Sequence, residues 1–434
     1  MSQANFQDEI NVLENQLSQI RQQGDGNLPE SQTGDRRAAE CEILGKLGMA
    51  YYQAQQWSEA VATFTEYLNA ARDLGNQWQE AVAQYYLGFS QKAMDQPCQA
   101  VEAFSLAYDL FRQQGQNEFS SQVWQQLSQQ GQAYFEQKQF DEALALYKQQ
   151  LRLLLKFDDL KAANWVAINI SKIYYNQEEF DSAISGCLEV LDAAQTFKDR
   201  SMESLSLAWL GCSYRELGQL EQCLDYFERR LAISQELGDR AAQKETLGWL
   251  IDISKRCEKF ERTVEYYQVQ LELFRELKEP VSEYSCLYDL AMCQFDIQQY
   301  QEALSGFETA LQIGESLDEE SGKTYKIANS QYMLGQCFRN LGEQEAAISW
   351  YEKAVELYVE LKDTKWALSG LEYLVNLYRE SNKYDKEINC QQRRLEIFRE
   401  LGDRVAEYSC LYELARFQLN IQQYQEALSG FETA

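Results

Sequence analysis

The chain contains EYSCLYDLAMCQFDIQQYQEALSGFETA at residues 283–310 and EYSCLYELARFQLNIQQYQEALSGFETA at residues 407–434. The copies are identical at 23 of 28 positions and lie 124 residues apart. That offset is too long for one supersecondary unit, so a shorter period must divide it. In each copy a small residue, Ala291 or Ala415, is followed after nine residues by tyrosine, after twelve by alanine and after sixteen by phenylalanine.

The same pattern extends over the rest of the chain. Equivalent anchors fall at Gly48, Gly88, Gly131, Ser171, Gly211, Ile251, Ala291, Gly335, Val375 and Ala415, in steps of 40 to 44 residues. The 124-residue offset is three such units, and a fixed period in this range signals a solenoid. Spacings of three, four and seven put the recurring residues on one stripe of a helix. Turns such as RELGQL (215–220) separate two stripes within a unit, and ELGDR (236–240 and 400–404) separates units. There glycine can take the left-handed position that ends one helix, and aspartate can cap the next. Each unit is therefore expected to be helix–turn–helix. The small anchor and the alanine predict close helix contact, where a larger side chain would cost about 1–3 kcal/mol by overpacking.

QQYQEALSGFETAL (298–311) and QKQFDEALALYKQQL (137–151) resemble the tetratricopeptide repeat. The 40-residue unit departs from that family's 34 residues and lacks its closing proline. It is similar to the variant in spindle-orientation adaptors, kinesin light chains and bacterial arrays. The resemblance implies an all-α fold: a right-handed α-solenoid superhelix of about ten antiparallel helix pairs, whose first helices line a concave groove.

Composition excludes several function classes. With 40 basic and 68 acidic residues among 434, the net charge of −28 repels nucleic acid. Apolar runs are too short to span a bilayer, and MSQANFQDEINV lacks a secretory-signal pattern. No histidine occurs, which excludes Ser-His-Asp and Cys-His catalysis and imidazole zinc sites. Eleven cysteines without a C-x-x-C pair suit a reducing compartment and small buried hydrophobes. The expected chain is non-enzymatic, without cofactor or metal, and cytoplasmic; its glutamine-rich style is bacterial in flavour.

Residues 1–23 read as an amphipathic helix, 24–35 as a linker and 36–434 as the solenoid. Phe6, Ile10, Leu13, Leu17 and Ile20 form a two-heptad seam. Either that helix folds back on the first repeat, or it is a dimerisation or partner-binding helix. The upstream copy continues past Ala310 as LQIGESL, whereas the second stops at Ala434, so the last repeat reads as incomplete. That suggests a fragment of a longer protein, or an open end that docks on another chain with Leu411, Leu414 and Phe431 incompletely covered.

In the family, binding side chains lie one and four residues after the anchor. Carried over, this gives Lys172, Gln336, Asn376 and Arg416 at the first position and Lys92, Arg215, Lys255, Arg339 and Arg379 at the second, with Asn340 beside Arg339. Two readings stand. On one, the cations answer the helix macrodipole near a C-terminus. Alternatively, they line a basic and aromatic groove for an acidic or amphipathic protein segment. Unit nine breaks the pattern, with Val375, Glu387 and Gln391 where other units have small, alanine and aromatic residues; it reads as drift, a hinge or a polar pocket. The expected function is a protein-interaction scaffold or adaptor binding a peptide or helix, with an assembly role. The alternatives are a peptide-responsive sensor or the repeat module of a longer effector.

Overall fold

The computed structural model describes residues 3–22 and 30–433, and every element in them is a helix or a short turn. Contacts divide the chain into two units, Met1–Tyr226 and Phe227–Ala434. The first holds α1 (Gln3–Gln22), α2 (Glu30–Gln53), α3 (Trp57–Asp73), α4 (Gln77–Ala93), α5 (Pro97–Gln113), α6 (Asn117–Glu136), α7 (Phe140–Lys156), α8 (Leu160–Asn176), α9 (Phe180–Phe197) and α10 (Arg200–Glu216). The division falls within α11 (Leu220–Leu237). The second unit continues with α12 (Arg240–Arg256), α13 (Phe260–Leu277), α14 (Pro280–Asp296), α15 (Tyr300–Ser316), α16 (Lys323–Asn340), α17 (Gln344–Glu360), α18 (Thr364–Glu380), α19 (Tyr384–Leu401), α20 (Arg404–Asn420) and α21 (Tyr424–Thr433). From α2 to α9 and from α12 to α21 the helices pair as the repeats predict. In each unit successive helices pack on one another, as an α-solenoid does.

The small positions are small for the expected reason. A methyl group at Gly88 would lie 2.6 Å from Cε1 of Phe104, and one at Gly131 would lie 2.7 Å from Cε1 of Tyr147. In both cases the ring sits sixteen residues after the anchor, on the second helix of the same pair. Phe64, Phe307 and Tyr351 fill the same place and are fully buried. Each such ring contributes about 1.5–3 kcal/mol by leaving water. Ala60, Ala143, Ala303 and Ala347 are likewise sealed in the pair contact.

The turns follow their sequence. Gly238 and Gly402 take left-handed φ values of 67° and 69°. Asp239 and Asp403 then accept the backbone N–H of Ala242 and Ala406, each at 3.0 Å. These bonds satisfy donors that a helix start otherwise leaves unpaired.

α1 packs on its own chain. Ile10, Leu13 and Leu17 are buried in one cluster with Leu44, Leu47 and Phe64 of α2 and α3. The Tyr51 hydroxyl donates to Glu14, and Arg21 pairs with Glu40 at 2.8 Å and with Glu66. The seam is thus used within the first unit, the fold-back reading. α2 begins at Glu30, inside the stretch read as linker 24–35, because SQTGD continues without a residue that breaks the helix; residues 24–29 lie outside the described residues. Near the other end Leu411 and Leu414 are buried between α20 and its neighbours, contrary to expectation, whereas Phe431 is exposed. All eleven cysteines are free thiols, eight of them buried as core fillers.

Candidate functional site

The sequence-derived groove residues fall into local clusters. Two lie in the first unit. Lys92 on α4 donates to Oε1 of Gln126 on α6 at 2.7 Å. On α8 and α10, Lys172 lies 5.6 Å from the Trp209 ring centre, Tyr175 meets that ring edge-on, and Nη2 of Arg215 reaches the Tyr175 hydroxyl at 3.3 Å. Burial pushes the Lys172 amine below its usual range. Arg215 also pairs with its neighbour Glu216.

In the second unit, Nζ of Lys255 donates to the Tyr267 hydroxyl at 2.8 Å. Arg339 stacks over Tyr373, 4.8 Å from its centre, and Nε2 of Gln336 donates to Tyr332. Asn340 donates to the carbonyl oxygen of Gln336 at 2.8 Å, so one amide hydrogen read as available to a partner serves its own helix. Arg215, Arg339 and Arg379 all stand in the last turn of their helices, where the macrodipole favours them.

Three of the expected residues, Asn376, Arg379 and Arg416, surround one cavity of about 660 Å³ between α18, α19 and α20. Its position follows from the irregular repeat. In the preceding pair Tyr351 packs its ring on Gly335. Here the corresponding residues are Gln391 and Val375, and an amide occupies the place of a ring. Glu387, at the alanine position, is fully buried. Arg379 turns to it, placing Nε 2.9 Å and Nη2 2.7 Å from Oε1, while Oε2 has no partner. Arg379 thus already has a carboxylate partner within the protein. Burial still holds the Glu387 carboxyl above the usual carboxylate range, against the opposing pull of Arg379.

The floor of the cavity is Gln391, also fully buried. Its Oε1 accepts from Nη1 of Arg394 at 3.1 Å and from Sγ of Cys410 at 3.6 Å. Both neighbours are donors, which fixes the amide orientation and leaves Nε2 as the free end. Nε2 of Gln391 and Nε of Arg394 have no partner. At the mouth Arg416 is exposed, and no carboxylate among the described residues pairs with it. Phe417 and Tyr384 meet edge-on at 5.8 Å and form the apolar wall. Gln391 and Arg394 lie on a second helix, outside the positions carried over from the family. The signal that finds them is the broken repeat pattern itself.

Models of the tetratricopeptide repeat match residues 43–77, 205–237 and 283–360. The chain carries tetratricopeptide repeats. A tetratricopeptide array is a protein-interaction scaffold, and the helix pairs described above are its repeating unit. No curated protein is close enough in sequence to count as a relative. Among solved structures, BtubC (BKLC) from P. vanneervenii is 21% identical with a TM-score of 0.35, covering 51% of this chain and 92% of that one. A signal-transduction ATPase with numerous domains and a tetratricopeptide repeat sensor, from Pyrococcus horikoshii, is 14% identical with a TM-score of 0.43, covering 97% and 71%. The C-terminal part of a TPR repeat-containing protein from Cytophaga hutchinsonii is 13% identical with a TM-score of 0.42, covering 62% and 93%. Among the described residues no helix of this tetratricopeptide chain is long and apolar enough to cross a membrane, and no His/Cys/Asp/Glu group is placed to hold a metal ion.

Proposed function

We propose that this tetratricopeptide chain is a non-enzymatic adaptor that holds a peptide or helical segment of another protein against its first helices. The observation that carries the reading is the cavity between α18 and α20, where Asn376 and Arg416 on two first helices border donors left without acceptors. Buried donors without partners are costly, and a bound chain with its row of carbonyl oxygens would satisfy them. Lys92, Lys172, Arg215, Lys255, Gln336 and Arg339 are proposed as lesser contacts, because intramolecular partners already engage them. Eleven free thiols support a reducing, cytoplasmic setting.

Site-directed photocrosslinking tests the reading. A photoreactive residue at position 376 of the full chain should capture a discrete partner in cells. The same residue at the exposed Glu356, on the opposite helix of the preceding pair, should not. Equal capture at both sites, or none at 376, would overturn it.

A further inference from the structure

We infer that the cavity between α18 and α20 is a carboxylate-binding site. The near-duplicate segments supply the independent observation. Residues 283–310 and 407–434 differ at five positions, and the later copy has Glu413, Arg416, Phe417, Leu419 and Asn420. Four of these five, all but Leu419, line the cavity. Divergence without consequence would be scattered over both helices; here it is gathered on one wall of one cavity. Its direction is chemical as well. Met292 becomes Arg416 and Asp296 becomes Asn420, while Asp289 becomes Glu413 with its charge unchanged. The wall carries two more units of positive charge than the matching face of the upstream copy, within a chain of net charge −28.

The floor asks for the same ligand. Gln391 offers a fully buried amide N–H, and Arg394 an Nε–H, each without an acceptor. Arg416 stands exposed at the mouth, and no carboxylate among the described residues pairs with it. The missing ring of this repeat makes room for a small group to reach the floor. A carboxylate brings two acceptor oxygens, one for the amide and one for a guanidinium fork. Glu372 and Glu413 at the rim oppose a more highly charged anion. The carboxylate has two sources: an Asp or Glu side chain of a partner segment, which rests on the adaptor reading, or a free dicarboxylate.

The test is calorimetric titration of the full chain, at low salt, with a capped penta-glutamate peptide, with its penta-glutamine counterpart and with glutarate. Two variants accompany it. Arg416→Met with Asn420→Asp restores the wall of the upstream copy. Glu387→Ala with Gln391→Tyr restores the regular repeat and fills the cavity. The acidic peptide is expected to bind at least about tenfold more tightly than the neutral one, and each double variant should lose about tenfold or more. Binding of glutarate with the same dependence on the variants assigns the site to a free dicarboxylate. Equal affinity for charged and neutral peptides, or unchanged binding in the first double variant, which alters only the exposed wall, overturns the inference. Partner capture at position 376 that persists alongside such a failure would leave the adaptor reading standing.

Discussion

Arg379 and Glu387 meet across the turn between α18 and α19, with both guanidinium donors on the single oxygen Oε1. The other oxygen, Oε2, is buried without a partner. A carboxylate taken out of water needs all its lone pairs answered to break even. This one is answered on one side only, and its carboxyl is accordingly held above its ordinary value by burial. A raised acid pKa means that the folded state prefers the protonated form. Stability from this group is therefore present below the ordinary carboxyl value and is lost as pH rises through the folded value. Glu387→Gln should melt above the wild type at pH 7, and the gap should close near pH 4. Thermal melts at the two pH values check it; a variant less stable at pH 7 would show that the pair with Arg379 dominates.

Gly88 and Gly248 should respond in opposite directions to alanine. A Cβ at Gly88 would sit 2.6 Å from the Phe104 ring, which is held on all sides, so Gly88→Ala is expected to cost about 1–3 kcal/mol. A Cβ at Gly248, within α12, meets nothing within 4 Å. Gly248→Ala should stabilise by about 0.5–1 kcal/mol through helix propensity. Denaturant melts of the two variants decide it.

Leu13 ties α1 to α2, together with Ile10 and Leu17. Leu13→Asp places an unpaired charge in that contact and should release α1 while leaving the later pairs folded. Hydrogen exchange of residues 3–22 should then rise to the rate of an unfolded chain, with α4 to α7 unchanged. Persistent protection of α1 would mean that the contact is not what holds it.

Cys98 is the exposed thiol among the eleven, with Cys212 and Cys257 half-buried. Burial pushes the thiols of Cys41 and Cys390 up to about 11 and those of Cys187, Cys286 and Cys337 up to about 12. A thiol-specific reagent at pH 8 should label Cys98 first and Cys212 and Cys257 more slowly, with eight protected until denaturant is added. Fast labelling of any of the eight, read by peptide mass, would contradict the packing described.

The helix pairs, their caps and their close contacts could all be read from residue spacing. Each depends on residues within about twenty positions of one another, and local spacing fixes which side chains share a helix face. α2 begins at Glu30, earlier than the polar, glycine-containing SQTGD suggests, because no proline follows to end the helix. Of the groove residues, sequence could supply only a register position. It could not tell that Arg379 would turn inward to Glu387, or that Asn340 would bond its own helix. Those outcomes depend on how much room the neighbouring pair leaves.

The sequence alone determined the period, the helix pairs and the place where the pattern fails, at Val375, Glu387 and Gln391, because a repeat is a local rule and its violation is visible locally. Only the tertiary structure decided what that violation makes. A cavity needs walls from three helices, and the positions of Gln391, Arg394 and Arg416 around it are set by packing between residues that spacing along the chain does not relate.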